Sequence, residues 1–164
     1  STKRFIDDLC ALNDGGEFGL VHKDIYPSEL DLKAEHSGSH ATFLCLDFTI
    51  RDGLFIYKLF DKRDDFPFSI VRMPYISSNI PESIFYSAMV GEFLHIARST
   101  LLFDDFLPKT RELIHRLKNQ GAKQHTSHRH LRKIIERHPD DFSHFRIGTE
   151  DMLNQIHQEQ EPSH

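Results

Sequence analysis

The hydrophobic residues of this chain change their spacing at Pro81, and that change constrains the fold more than any other feature of the sequence. Before Pro81, apolar residues occur in short strand-like runs, of which 41–50 and 54–61 are the clearest. After Pro81 they recur every three or four residues, which is the period of an amphipathic helix. Strands followed by helices predict an α+β chain, with a β-rich part at 1–78 and a helical part at 79–164.

The β-rich part contains one strong hairpin signal. Asp52-Gly53 separates the two strand-like runs, and an Asp-Gly step in such a place is typical of a two-residue hairpin turn. We therefore expect an antiparallel hairpin over 41–61, with one strand on each side of the turn. Three shorter elements are also predicted: a strand or tight hairpin at 5–12, a short helix at 17–25 and a strand at 30–33.

The helical part is predicted to contain four helices. The first spans 82–102, and two basic helices follow at about 109–119 and 127–137. A short fourth helix begins near Thr149, a residue favoured at helix N-caps. The inward face of the first helix is formed by apolar residues at helical spacing, namely Phe85, Met89, Phe93 and Ile96.

Composition narrows the class of protein. The chain has 164 residues, 38% of them hydrophobic, which is enough for a core, yet no apolar run approaches the roughly 20 residues that span a bilayer. We therefore expect no membrane partner. The only cysteines, Cys10 and Cys45, lie in apolar contexts and are predicted to be buried thiols of an intracellular protein, nuclear or cytoplasmic.

Charge is unevenly distributed along the chain. Residues 109–137 carry nine Lys or Arg and two Glu, a net charge of +7, whereas the whole chain has a net charge of −5. A basic block on an acidic protein suggests a polyanionic partner. A solvated helical face is the alternative, and composition alone does not separate the two.

Asp7 and Asp8 form an unusual pair, because apolar residues flank them on both sides. The three other Asp-Asp pairs of the chain lie beside Lys, Arg or Pro, or at a predicted helix start. Ionised carboxylates resist burial unless they are paired or bind a metal. From the dipeptide alone a structural turn is the favoured explanation, since Asp is favoured in turns.

The sequence around this pair resembles the reverse transcriptases. The signature is the RFIDDL of residues 4–9, which has their aromatic-x-Asp-Asp pattern. Further similarity to the region after the catalytic motif, notably in Penelope-like elements of animals, runs through HATFLCLDFTIRDG at 40–53, LFIYKLFDKRDDFPF at 54–68 and RMPYISSNIPESIFYSAMVGEFLHIARS at 72–99. The resemblance covers most of residues 4–137.

The resemblance implies the C-terminal part of a polymerase palm, with β-hairpins and a short helix, followed by a helical thumb-like lobe. It implies template-directed nucleotidyl transfer with two Mg²⁺ ions, in which Asp7 is the main catalytic metal ligand and Asp8 the second. In that family a third aspartate and the nucleotide pocket lie N-terminal to the pair. We therefore expect a fragment that is inactive alone, and deoxynucleotides and Mg²⁺ would act in the intact parent enzyme.

The resemblance also implies contacts with an RNA–DNA or DNA duplex. Lys62 and Arg63 follow the second hairpin, where the family has its primer grip. The basic helices match the position of a thumb, which follows the duplex backbone through phosphate contacts. The candidate phosphate contacts in these helices are Lys109, Arg111, Arg116, Lys118, Lys123, Arg129, Arg132 and Lys133.

Other interpretations stay open. The chain is alternatively a non-catalytic nucleic-acid-binding or interaction module derived from such an element, or a small α+β domain without polymerase ancestry. For Lys62 and Arg63 the alternative is a solvated strand exit. The histidine-rich stretch 125–130 is predicted to be a polar loop or helix start in preference to a zinc site, since no cysteine lies nearby.

Overall fold

The computed structural model describes residues 2–5, 7–12, 15–68, 70–71 and 73–158, and these residues form an α+β fold, as predicted. The strands are β1 Thr2–Phe5, β2 Asp8–Ala11, β3 His40–Phe43, β4 Leu46–Arg51 and β5 Leu54–Leu59. The helices are α1 Glu17–Ile25, α2 Glu82–Arg98, α3 Phe103–Asn119, α4 Gln124–Arg137 and α5 Thr149–His157. Short 3-10 turns occur at Lys62–Asp65, Pro139–Asp141 and Ser143–Phe145.

The Asp-Gly hairpin is confirmed. Strands β4 and β5 pair antiparallel with Arg51 opposite Leu54, so Asp52 and Gly53 form a two-residue turn. Both turn residues have a positive φ, 53° at Asp52 and 75° at Gly53. This is the backbone that a type I′ turn requires and that Asp-Gly sequences favour.

The prediction of one strand over 41–50 is wrong. Strands β3 and β4 form a second hairpin, with Phe43 opposite Leu46, so the run turns at Leu44 and Cys45. Leu44 has a φ of 56°. The turn is hidden in the sequence because its residues are apolar, whereas most two-residue turns carry Gly, Asn or Asp.

Two further expectations fail in the same part of the chain. Cys45 is exposed in that turn and Cys10 is only partly buried, so neither is a fully buried thiol. Partial burial nevertheless raises the pKa of the Cys10 thiol. Residues 30–33 form no strand, since an alternating run becomes one only where another strand accepts its hydrogen bonds.

The core lies among helices α2 to α5. Helix α2 ends at Arg98, four residues earlier than predicted, and α3 begins at Phe103, six residues earlier than predicted. Pro108 lies inside α3, and the sequence-based prediction placed the start of the helix just after this proline. Helix α2 buries all four residues predicted for its inward face: Phe85, Met89, Phe93 and Ile96.

The three-stranded sheet is attached to this helical core by specific contacts. The Leu101 backbone N–H, just after α2, donates to the Tyr57 carbonyl of β5 at 3.0 Å. The Gln120 side chain, at the C-cap of α3, donates to the Met73 carbonyl at 2.6 Å and so holds the segment between the sheet and α2 against the core. By contrast, every β1 residue is exposed and α1 buries none of its side chains. The β1–β2 hairpin therefore contributes no residue to the buried core among the described residues.

The Arg98–Asp141 ion pair joins the end of α2 to the 3-10 turn after α4. Arg98 Nε donates to Asp141 Oδ1 at 2.9 Å and Nη2 donates to Oδ2 at 2.8 Å. These hydrogen bonds lower the pKa of Asp141 and raise that of Arg98. The pair therefore stabilises the fold above the pKa of an unfolded Asp, and the stabilisation is lost as pH falls through the lower folded pKa.

We expect the Asp141→Asn variant to melt at a lower temperature than the wild type at pH 7 and to show a weaker dependence of Tm on pH in the acid range. The reason is that the variant lacks the Asp141 carboxylate, whose pKa is lowered on folding. Thermal melts between pH 2 and pH 7 test this, with Asp140→Asn as the matched control on the neighbouring exposed residue. Identical acid profiles for wild type and Asp141→Asn would contradict the assignment.

Candidate nucleic-acid interface

Asp7 and Asp8 lie at the end of a tight hairpin, as one of the two sequence interpretations predicted. Phe5 pairs with Asp8 across β1 and β2, so Asp7 lies in the turn between the two strands. Both aspartates are exposed. The hairpin thus presents two adjacent carboxylates to solvent without burying either, and a hydrogen-bonded turn accounts for their backbone positions.

The carboxylate oxygens at this hairpin are ligands of the type that Mg²⁺ binds, but only two carboxylates supply them. Mg²⁺ prefers six oxygen ligands in octahedral geometry, and one or two carboxylates commonly supply part of that set. Across the described part of the chain, no group of three or more His, Cys, Asp or Glu is placed to hold a metal ion. Asp7 and Asp8 are therefore the only sequence-predicted metal ligands, and a third carboxylate does not join them in the described residues.

Arg63 is engaged by a neighbouring acid. Its Nε donates to Asp61 Oδ1 and its Nη2 to Asp61 Oδ2, both at 2.8 Å. This bidentate hydrogen bonding raises the pKa of Arg63. Lys62, at the start of the same 3-10 turn, is exposed. Both candidate primer contacts are exposed, and Lys62 is the one without an ion-pair partner among the described residues.

Four candidate residues of the basic helices hold the fold together. Lys109 Nζ lies 2.6 Å from Asp64 Oδ2, which links α3 to the 3-10 turn after β5. Arg111 donates to the Gln155 carbonyl at 2.7 and 3.1 Å. That carbonyl lies in the last turn of α5, where backbone acceptors lack partners within the helix. Arg132 makes a bidentate pair with Glu150, and Arg116 Nε lies 4.0 Å from Glu112.

The other four candidates are all exposed, and we call them together the basic face: Lys118, Lys123, Arg129 and Lys133. Lys118 lies near the end of α3, Lys123 is the N-cap of α4, and Arg129 and Lys133 are one turn apart on α4. Among the described residues, none of these four side chains makes an ion pair or a side-chain hydrogen bond.

The tight turn between α3 and α4 positions the first two members of the basic face. Gly121 has a φ of 94°, and a Cβ added there would lie 2.7 Å from Ile76 Cγ2. Glycine meets both demands, because a φ of 94° is strained for a residue with a side chain and the close approach leaves no room for a Cβ. The turn joins the end of α3 to the start of α4, so Lys118 and Lys123 lie on either side of it along the chain.

The histidine-rich stretch begins α4 and is not arranged as a metal site. His157 Nδ1 of α5 lies 2.8 Å from the Leu153 carbonyl, which can only accept, so this nitrogen carries a proton. His128 Nδ1 lies 3.4 Å from His157 Nδ1 and accepts a hydrogen bond from it. Burial, then the nearby His157 and Arg132, lowers the pKa of His128. The prediction of a polar helix start is confirmed.

No family model, curated protein or solved structure matches this chain. None of the helices within the described residues is long and apolar enough to cross a bilayer.

Sequence reasoning missed one surface feature. A groove between α3, α4 and α5 is lined by residues including Gln124, Ser127 and His157, none of which was a candidate. No local motif marks it, because its residues come from three helices and meet only in the folded chain. The spacing of His125 and His128 on α4 was its only signal in the sequence.

Proposed function

We propose that this chain is the palm remainder and thumb of a reverse transcriptase, and that its own activity is to bind the backbone of duplex nucleic acid. The observation that supports this most directly is the basic face: four exposed cations on α3 and α4 that have no partner among the described residues. The other four candidate cations of these helices have internal partners, which leaves the basic face, together with the exposed Arg137 at the end of α4, available to phosphates.

The physical basis of binding is neutralisation of phosphates. Each Lys or Arg that neutralises a phosphate releases a condensed counterion, and this supplies affinity without reading the base sequence. The net charge of the chain is −5, so acidic surfaces elsewhere repel nucleic acid and confine binding to the basic face. The preferred partner is therefore a duplex of any sequence, an RNA–DNA hybrid in the parent reaction.

The catalytic part of the proposal concerns Asp7 and Asp8. Their support is the resemblance of RFIDDL to the reverse transcriptase signature, together with the hairpin that holds both carboxylates at one end. In the parent enzyme, these two residues would hold Mg²⁺, which activates the primer hydroxyl and stabilises the leaving pyrophosphate. A non-catalytic binding module of the same origin is the second candidate, and it shares the basic face but needs no metal at the hairpin.

Binding should be steeply dependent on salt and nearly independent of sequence. With about four phosphate contacts, we expect a slope of log affinity against log salt on the order of −3 to −5, at roughly 0.9 per contact. Fluorescence anisotropy of two RNA–DNA hybrids of equal length and unrelated sequence, titrated at two or more salt concentrations, measures both properties. Affinity that does not change with salt would show that the basic face is only a solvated helical surface.

Metal binding at the β1–β2 hairpin distinguishes the reverse transcriptase fragment from the non-catalytic binding module. Mn²⁺ favours the same carboxylate ligands as Mg²⁺, and its paramagnetism broadens NMR signals of nearby nuclei. We expect amide signals of residues 7–9 to broaden at lower Mn²⁺ concentrations than others, and the Asp7→Asn/Asp8→Asn variant to lose this preference. The matched control changes Asp104 and Asp105 to Asn at the start of α3. Equal broadening at both aspartate pairs would favour the non-catalytic module.

A further inference from the structure

The groove between α3, α4 and α5 is made of two adjoining cavities. One, of about 450 Å³, is lined by Gln124, His125, His128 and His157. The other, of about 350 Å³, shares Gln124 and His157 with the first. It also includes Arg111, Ile114, His115, Lys118, Ala122, Ser127, Ile156 and Gln158. The combined volume is within the range of pockets that bind small molecules.

The polar residues that line the groove are two cations, four histidines, two glutamines and a serine. Arg111 and Lys118 are positively charged, and the histidine, amide and hydroxyl groups can donate hydrogen bonds. No carboxylate belongs to the described residues that line either cavity. On the remaining wall Ile114, Ala122 and Ile156 supply apolar surface. A ligand with an anionic group next to an apolar or aromatic part fits this lining.

The N-terminus of α4 opens into the same groove. The helix begins at Gln124 after Lys123, without a side-chain cap and without an acidic residue in its first turn. No hydrogen bond within the described residues uses the backbone N–H of Gln124 or His125. Free N–H groups and the positive end of a 14-residue helix both favour an anion at this position.

Ser127 provides an independent indication of a ligand. It is only 2% exposed, it lines the groove, and its hydroxyl has no hydrogen-bond partner among the described residues. A second groove residue, His157, has a buried Nε2 without a partner among the described residues. Buried polar residues normally have partners, so the unpartnered hydroxyl of Ser127 indicates that a bound group with acceptor atoms completes its hydrogen bonding.

We propose that this groove binds a phosphate monoester, such as the 5′-phosphate of a nucleotide. Lys118, the first N–H groups of α4 and the Ser127 hydroxyl receive the phosphate, and the apolar wall packs against the attached nucleoside. The source is either a free mononucleotide or the phosphorylated end of a nucleic-acid strand. The groove is distinct from the part of the basic face formed by Arg129 and Lys133, which do not line it.

The test compares ligands with and without the phosphate. In ¹⁵N NMR titrations at pH 7 and constant ionic strength, we expect AMP to shift the amide signals of residues 124–128, with roughly tenfold or greater preference over adenosine. The Lys118→Gln/Ser127→Ala variant should lose about tenfold or more of the AMP affinity while its Tm is unchanged, because neither side chain has an internal partner. Lys133→Gln, outside the groove, is the matched control and should bind AMP as the wild type does.

Several outcomes would overturn the proposal. Equal affinity for AMP and adenosine would show that the phosphate is not recognised, and equal AMP affinity of the groove variant and the control would place binding elsewhere. Single-stranded oligonucleotides with and without a 5′-phosphate then identify the source, since only strand-end recognition distinguishes them. If the chain binds AMP but no duplex, this proposal stands and the proposed thumb function is wrong. If it binds a duplex but not AMP, the thumb function stands and this proposal is wrong.

Discussion

Simultaneous replacement of Lys118, Lys123, Arg129 and Lys133 with Glu is expected to lower affinity for an RNA–DNA hybrid by at least about a hundredfold at roughly 0.1 M salt. Each lost phosphate contact removes the gain from counterion release, and each new carboxylate repels the backbone. The salt dependence should fall to near zero in the variant, because no cluster of exposed, unpaired cations would remain on α3 and α4. Anisotropy titrations of both proteins with the same hybrid measure the effect.

The folded structure should survive this change. All four side chains are exposed, and none makes an ion pair or side-chain hydrogen bond within the described segments, so their replacement leaves the core and the structural ion pairs intact. The circular dichroism spectrum of the variant should match that of the wild type.

A charge-matched control separates local contact from net charge. It changes Lys3, Lys23, Lys33 and Arg51 to Glu, four exposed residues of the β-rich part. This control alters the net charge by the same amount but leaves the basic face unchanged. We expect it to retain most of the affinity of the wild type. An equal loss of binding in both variants would mean that only the overall charge matters and that α3 and α4 make no specific contacts.

The parts of the fold that were predicted from sequence are those with local causes. The Asp52-Gly53 turn is set by residues that tolerate a positive φ, and α2 is set by apolar spacing within one segment. The turn at Leu44 and Cys45 was missed because no turn residue marks it. Its position depends on the register of β3 against β4, which the pattern of a single apolar run does not specify.

The candidate site likewise has one part with local causes and another part that depends on contacts between distant residues. The hairpin at Asp7 and Asp8 is local, and its position was among the predicted alternatives. Which cations remain available for a ligand depends on distant partners, since Lys109 pairs with Asp64 and Arg111 with the Gln155 carbonyl. From the sequence alone, these basic residues therefore form a single block. In the folded chain, some of them have structural roles, and four others form the basic face.

The Phe106→Ala substitution is expected to destabilise the chain by about 3–5 kcal/mol, a large share of the ~5–15 kcal/mol typical of whole domains. Phe106 is 0% exposed on α3. Its ring lies 5.8 Å from that of Phe93 on α2 and 4.6 Å from that of Phe145, between centroids. Truncation thus removes aromatic contacts that join α2, α3 and the segment before α5, and leaves a cavity at their centre.

Urea unfolding followed by circular dichroism measures the free energy of unfolding of this variant. Phe68→Ala is the matched control, because Phe68 is 63% exposed and its loss should change stability by less than about 1 kcal/mol. Since the basic face is carried by α3 and α4, the Phe106→Ala variant should also lose duplex binding at temperatures where it unfolds, whereas Phe68→Ala should retain it. A Phe106→Ala variant as stable as the control would show that the aromatic cluster is not the centre of the core.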